Sequence, residues 1–339
     1  MKKYLVCAAT AAAVFTAGSL YAQGYVVDSV LYSTDFETDV SADFTVAEKA
    51  TGDNAISFVY DYSTFAQADS GFPTSIPAAP SAAGTKGLQM SVNNAATAVN
   101  AIGVYLTAGS FTPADDMLIT FDAWINYNGG AAGGSGSTEF LAFGAGDDTS
   151  LAAYSGSNYS TSVHDLYSGF FFAHTGEGGA GQDYRYHDGD GTNPTTGGNL
   201  GAAGGNEELA NLIGQGANEL VNNLDQAWLD TFPDTDFATT GYWETAGAPG
   251  KAWITYKIAI LGGQVRVDLD LPDGSTLQYA NWFTPNAGTP MTGLLPYLGC
   301  FDNFSSSANP ASDNFYLFDN LKVESILAQA SAENWNLYE

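Results

Sequence analysis

Apolar residues recur at every second position in this chain, in short runs broken by glycine, asparagine, aspartate and serine. Across Met117–Tyr127 one face carries Met117, Ile119, Phe121, Ala123, Ile125 and Tyr127; the other carries Leu118, Thr120, Asp122, Trp124 and Asn126. Ile254, Tyr256, Ile258 and Ile260 oppose Trp253, Thr255 and Lys257 in the same way. Val265, Val267 and Leu269 oppose Gln264, Arg266, Asp268 and Asp270. One buried and one polar face is the signature of antiparallel sheets packed in two layers. Strands are expected over Val26–Phe36, Ala55–Tyr62, Gly87–Val92, Ala101–Leu106, Met117–Tyr127, Glu139–Phe143 and Gly169–His174. Further strands are expected over Asp183–His187, Trp253–Leu261, Gln264–Leu271, Thr276–Trp282, Leu294–Phe301 and Asn314–Val323. Such an unbroken series predicts an all-β, two-layer antiparallel jelly-roll sandwich as one domain over residues 23–324.

Three segments stand outside that pattern. Met1-Lys2-Lys3, then the apolar run Leu5–Phe15 and small residues up to Ala22, read as a signal peptide over residues 1–22. This places the mature chain outside the cytoplasm, extracellular or periplasmic. No later stretch is long and apolar enough to cross a bilayer as a helix, so membrane insertion is not expected. Between about 205 and 231, Asn206 can cap a helix whose apolar stripe is Leu209, Leu212, Ile213, Leu220, Leu224 and Trp228. That stripe predicts a helical insertion lying across the sandwich. Residues 325–339 form a C-terminal tail.

Charge limits the partners. Nine basic residues stand against 37 acidic ones, for a net charge of −28. A field of that sign repels nucleic-acid phosphates and anionic lipids. Asp-rich loops also offer oxygen ligands for calcium. Beyond the signal peptide, Cys300 is the one cysteine, so no disulfide can form within the mature chain; it reads as a small buried hydrophobe beside Leu298 and Phe301.

Several strings occur in a telling order: Val59-Tyr60-Asp61-Tyr62-Ser63, Ile76-Pro77-Ala78-Ala79-Pro80, Gly84-Thr85-Lys86-Gly87-Leu88, and Phe121 to Asn128. Gly133 to Thr138, Asp183-Tyr184-Arg185 and the closing Phe318-Asp319-Asn320-Leu321-Lys322-Val323 continue the series. Together they resemble the concanavalin A-like (laminin G-like) sandwiches of exported proteins from planctomycete, verrucomicrobial and similar bacteria. The resemblance covers most of residues 30–324. Many of those proteins end in a sorting tail, an apolar helix followed by a basic cluster, which Ser325–Glu339 lacks. It implies the fold and, by fold analogy alone, sugar binding; no activity is established for the group.

Motifs for catalysis are thin. Sandwich glucanases set two Glu around an Asp on one strand, but here Glu37-Thr38-Asp39 is followed by Ser41 and Ala42 where the second Glu should stand. His164, His174 and His187 lack zinc-motif spacing. Asp188-Gly189-Asp190-Gly191 reads as a turn or a fragment of a calcium loop. Asp319 shares its parity with Phe315, Leu317, Leu321 and Val323, which predicts a carboxylate aimed at the core. Its partners would be either backbone donors near Asp35 and Glu37 or a structural calcium ion shared with Asp35.

The face holding Thr120, Asp122, Trp124 and Asn126 supplies a glycan site: an aromatic plate flanked by polar groups suits the alternating C–H and hydroxyl surfaces of a sugar. Arg266 could add a contact to a uronate or sulfate. Alternatively Trp124 packs beneath the helical insertion. The leading expectation is therefore a non-catalytic, lectin-like protein binding a polysaccharide or cell-surface glycan. A structural extracellular-matrix or surface-layer protein is the second, and a polysaccharide hydrolase or lyase the third.

Overall fold

The period-two runs form strands at almost every expected place. In the computed structural model, residues 24–48, 53–66, 75–81, 83–95, 100–108, 116–126, 139–146, 168–176, 184–190, 249–283, 294–302 and 311–329 are described. The first six strands are β1 (Tyr25–Thr34), β2 (Phe44–Glu48), β3 (Asn54–Asp61), β4 (Lys86–Val92), β5 (Asn100–Leu106) and β6 (Met117–Asn126). Then come β7 (Glu139–Gly146), β8 (Ser168–Thr175), β9 (Tyr184–Asp190) and β10 (Trp253–Leu261). The last four are β11 (Gln264–Asp270), β12 (Thr276–Phe283), β13 (Leu295–Asp302) and β14 (Phe315–Ala328). The signal peptide, the helical insertion and most of the tail lie outside the described residues, as does His164.

Two antiparallel sheets face each other. One runs β12-β11-β10-β6-β14-β4-β3, with β1 paired to the far half of β14; the other runs β2-β5-β13-β7-β8-β9. The fold is thus an all-β jelly-roll sandwich. The inward faces named above for β6, β10 and β11 lie in the core between the sheets, save Tyr127, which is outside the described residues. Cys300 is fully buried there, and burial pushes its thiol well above the ordinary range. His174 is buried against Tyr256, whose hydroxyl lies 2.7 Å from Nε2; desolvation pulls its imidazole down to about 3, so it stays neutral.

Three expectations need correction. The short strand β2 has no counterpart among the expected ones. Asp188-Gly189-Asp190 is no turn: it continues β9, with Asp188 opposite Phe170 and Asp190 opposite Ser168. Nor are the outer faces uniformly polar. The outer face of the six-stranded sheet buries Tyr105, Phe140, Phe171, Tyr297 and Phe301 as a separate apolar layer.

Close backbone approach fixes the middle of that sheet. A Cβ on Gly144 would stand 2.1 Å from the Phe170 carbonyl oxygen and 2.6 Å from the Phe171 Cα. Both obstacles are backbone, so they cannot swing away. Gly144→Ala is expected to destabilise the fold by about 3 kcal/mol, the upper end of ordinary overpacking costs. Urea unfolding followed by circular dichroism reads this; a cost under about 1 kcal/mol would show that β7 and β8 can separate cheaply.

Candidate functional site

Thr120, Asp122, Trp124 and Asn126 do share one face of β6, and that face points away from the core. Its neighbours decide its chemistry. Trp124 is only 3% exposed. Its ring packs 5.8 Å from that of Trp253, which in turn meets the Tyr62 ring at 5.3 Å. Ile76 and Ala79 cover the group from the segment after β3, and Phe315 and Leu317 close it from β14. The Trp253 indole donates to the Pro77 carbonyl at 2.7 Å, and the Trp124 indole to Asn126 Oδ1 at 3.2 Å. Asn126 Nδ2 then donates to the Asp313 carbonyl at 2.6 Å. Trp124 and Asn126 are therefore packing and bracing groups. Among the described residues the cover of Trp124 comes from Tyr62, Ile76 and Ala79, whereas the helical insertion expected over it lies outside the described residues.

Asp122 lies one row along, 1% exposed. The Thr255 hydroxyl donates to Oδ1, and Oδ2 accepts from Asn320 Nδ2 at 2.8 Å and from the Ser81 backbone at 3.3 Å. Its register partner on β14 is Asp319. Asp319 is buried as expected, but on the opposite face. Asn320 takes φ 52°, and the β14–β6 register shifts between Asp319 and Lys322. This bulge reverses the parity: Phe315 and Leu317 point outward with Asp319, whereas Leu321 and Val323 point inward. The donors to Asp319 are the Tyr62 hydroxyl at 3.0 Å and the Asn320 backbone at 2.7 Å. Desolvation, with Asp122 and Glu37 adding repulsion, raises its carboxyl to about 7 against those hydrogen bonds.

Those contacts bear on calcium. Asp35 is exposed and its Oδ1 accepts from the Glu37 backbone at 3.2 Å, while both Asp319 oxygens accept from protein donors. Among the described residues, no three His, Cys, Asp or Glu stand together as a metal-holding group. Asp35 and Asp319 thus do not fit the shared calcium site, one of the two arrangements open for Asp319. A structural bond holds it instead, although its donors are Tyr62 and Asn320, not the backbone near Asp35 and Glu37. Glu37 is likewise committed, with Oε1 accepting from the Lys86 backbone at 2.8 Å.

Next along the same face the sheet opens. Lys257 and Lys322 are both register partners of Thr120, so β10, β6 and β14 present one row, Lys257–Thr120–Lys322. This row lies within a groove of about 640 Å³, bounded by Ser33, Thr34 and Asp35 on one side and Ser81 and Asn320 on another. Leu118 and Leu321 border it but are buried, and Glu324 lines the groove while pairing with Lys322. Lys257 pairs with Asp270. Each ammonium has three donors, so one carboxylate partner leaves others for a ligand. Arg266 is elsewhere: Asp268 holds it with two bonds, Nε at 2.7 Å and Nη2 at 2.9 Å, and it does not line the groove. Of the residues expected to bind sugar, Thr120 alone lines the groove. Lys257 carries a signal in the alternation, on the outer face of its strand, and Asn320 and Lys322 carry the same one, flanking the inward Leu321; only the residues before the bulge are reversed.

No family profile matches the chain, and no curated protein sequence does. Solved structures give distant likenesses. The chain is similar to a galectin-like Bacillus subtilis protein of unknown function, at 10% identity and a TM-score of 0.42, covering 90% of this chain and 100% of that one. It is also similar to the lectin UEA-II complexed with galactose, at 10% identity and a TM-score of 0.40, covering 88% and 98%. A third likeness is to the marine PL-14 alginate lyase from Aplysia kurodai, at 12% identity and a TM-score of 0.35, covering 73% and 85%. Such scores carry no argument about a ligand. Among the described residues no helix is long and apolar enough to cross a membrane.

Proposed function

We propose that this chain is a non-catalytic carbohydrate-binding protein acting outside the cytoplasm, and that the groove over Thr120 holds the glycan. The row Lys257–Thr120–Lys322 supports this reading best. It sets hydroxyl, ammonium and, through Glu324, carboxylate groups around one opening. Sugar hydroxyls both donate and accept, so mixed donors and acceptors match them. The volume lies within the range of small-ligand sites, about 300–1,000 Å³. The four lining charges balance: Lys257 and Lys322 against Asp35 and Glu324. With Asp270 also paired to Lys257, the row carries no excess of positive charge, which favours neutral sugars over polyanions. Glycosidic hydrolysis needs two carboxyl groups reaching the substrate. The two carboxylates that line the groove are engaged, Glu324 with Lys322 and Asp35 with the Glu37 backbone, which favours binding without cleavage.

Binding to an array of neutral and acidic glycans tests the proposal. The protein is expected to retain a neutral glycan, and Lys257→Ala with Lys322→Ala to weaken that retention at least tenfold. Thr120→Val should weaken it less. Retention that survives the double replacement would overturn the groove assignment. Retention of nothing would move the weight to a matrix or surface-layer role, which the exposed apolar strand β1 favours.

A further inference from the structure

β1 is the most exposed strand described. Six consecutive residues, Val26 to Leu31, are open to solvent, with Val26 46%, Val27 48%, Val30 54% and Leu31 44% exposed. Apolar side chains at successive positions stand on both faces of a strand, so neither face of this stretch is covered. Leu327, opposite Val26 on β14, adds a further 54%-exposed side chain. Among the described residues β1 pairs with β14 alone, which leaves its other edge as a row of backbone donors and acceptors. The opposite edge of the same sheet differs: Tyr279, Ala280, Trp282 and Phe283 of β12 are buried.

Charge indicates what can approach. β1 holds one charged residue, Asp28, in a chain with 37 acidic residues and a net charge of −28. A second copy of this chain is repelled over most of the surface and least along this strip. We propose that β1 is a self-association edge. Two copies pair β1 with β1 antiparallel about a two-fold axis and extend the eight-stranded sheet across both. An antiparallel pair of identical strands is self-complementary, so the contact closes at a dimer. An axis at Val30, which pairs residues of like parity as an antiparallel ladder requires, keeps the two Asp28 carboxylates from facing each other, as like charges require. The two bulges in β1, at Val27/Ser29 and Val30/Tyr32, twist the edge and limit the pairing to a short central stretch. The dimer is therefore weak and dependent on concentration. It would also present two grooves, so a glycan with repeated sites gains avidity.

Sedimentation equilibrium on the intact protein tests this in 0.1 and 1 M NaCl. Screening shortens from about 10 Å to about 3 Å between these conditions. Dimerisation is expected to tighten in high salt, because repulsion between acidic copies falls while apolar contact remains. Val30→Lys should weaken the dimer at least tenfold, and Val27→Lys likewise. Val59→Lys, on an exposed site of β3, should leave it unchanged. All three side chains are at least 38% exposed, so unaltered circular dichroism melting is expected and confirms that the fold is kept. A monomer at every concentration in both salts overturns the proposal. So does a dimer indifferent to Val30→Lys and Val27→Lys, or open-ended polymerisation.

Discussion

Trp124→Ala is expected to cost about 3–5 kcal/mol of folding stability, the range for deleting a large buried aromatic side chain. Trp124 is a central member of the outer apolar cluster, and Trp253, Tyr62, Leu317 and Phe315 all belong to it. Removing the indole leaves a void lined by rings that cannot collapse into it, and frees Asn126 Oδ1 of its donor. Natural domains are stable by about 5–15 kcal/mol, so this one change removes a large share of the total. Urea unfolding monitored by circular dichroism measures it. A cost under about 1 kcal/mol would mean that the ring is not enclosed, and the open-plate reading of the β6 face would return.

A second large effect follows from Asp319. In the unfolded chain its carboxyl titrates near 3.8; in the fold it titrates at about 7. Between those values the folded state binds a proton that the unfolded state has lost, so raising pH destabilises the fold. The stabilisation is fully present below about pH 4 and lost as pH rises through about 7. Its upper bound is on the order of 4 kcal/mol, from roughly 1.4 kcal/mol per pH unit. The loss is concentrated where Tyr62 meets Asp319, the bond that ties the cover of the Trp124–Trp253 pair to β14. Asp319→Asn retains an acceptor for Tyr62 and removes the titration. Melting temperatures between pH 4 and pH 8 should fall for the native protein and vary less for the Asn variant. Parallel profiles would assign the pH dependence to other groups.

The inner layer was legible because period two is a local signal: Ile119, Phe121, Ile258 and Val267 announce their face through their neighbours in sequence. What lies outside the sheets was not. Trp124 looks like a residue of an open polar face until Tyr62, Ile76 and Ala79, lying 62, 48 and 45 positions before it, fold over it, and Asp122 does so until Ser81, Thr255 and Asn320 bond to it. Asp319 shows a sharper limit. Its burial was readable from the apolar company it keeps, but its direction depends on one left-handed residue, Asn320, and a single bulge reverses every assignment before it. The groove arises where β10, β6 and β14 meet, three strands from distant parts of the chain. Thr120 and Lys257 could be placed on its face, but their meeting with Lys322 could not.

The glycan site is tested most directly by locating it. Amide hydrogen exchange on the native protein, with and without the best-retained glycan, reports which backbone becomes protected. Protection is predicted around Thr120 on β6, Lys257 on β10 and Asn320–Lys322 on β14, with β5, β7 and β13 unchanged. Protection confined to the six-stranded sheet, or none along the Lys257–Thr120–Lys322 row, would contradict the assignment.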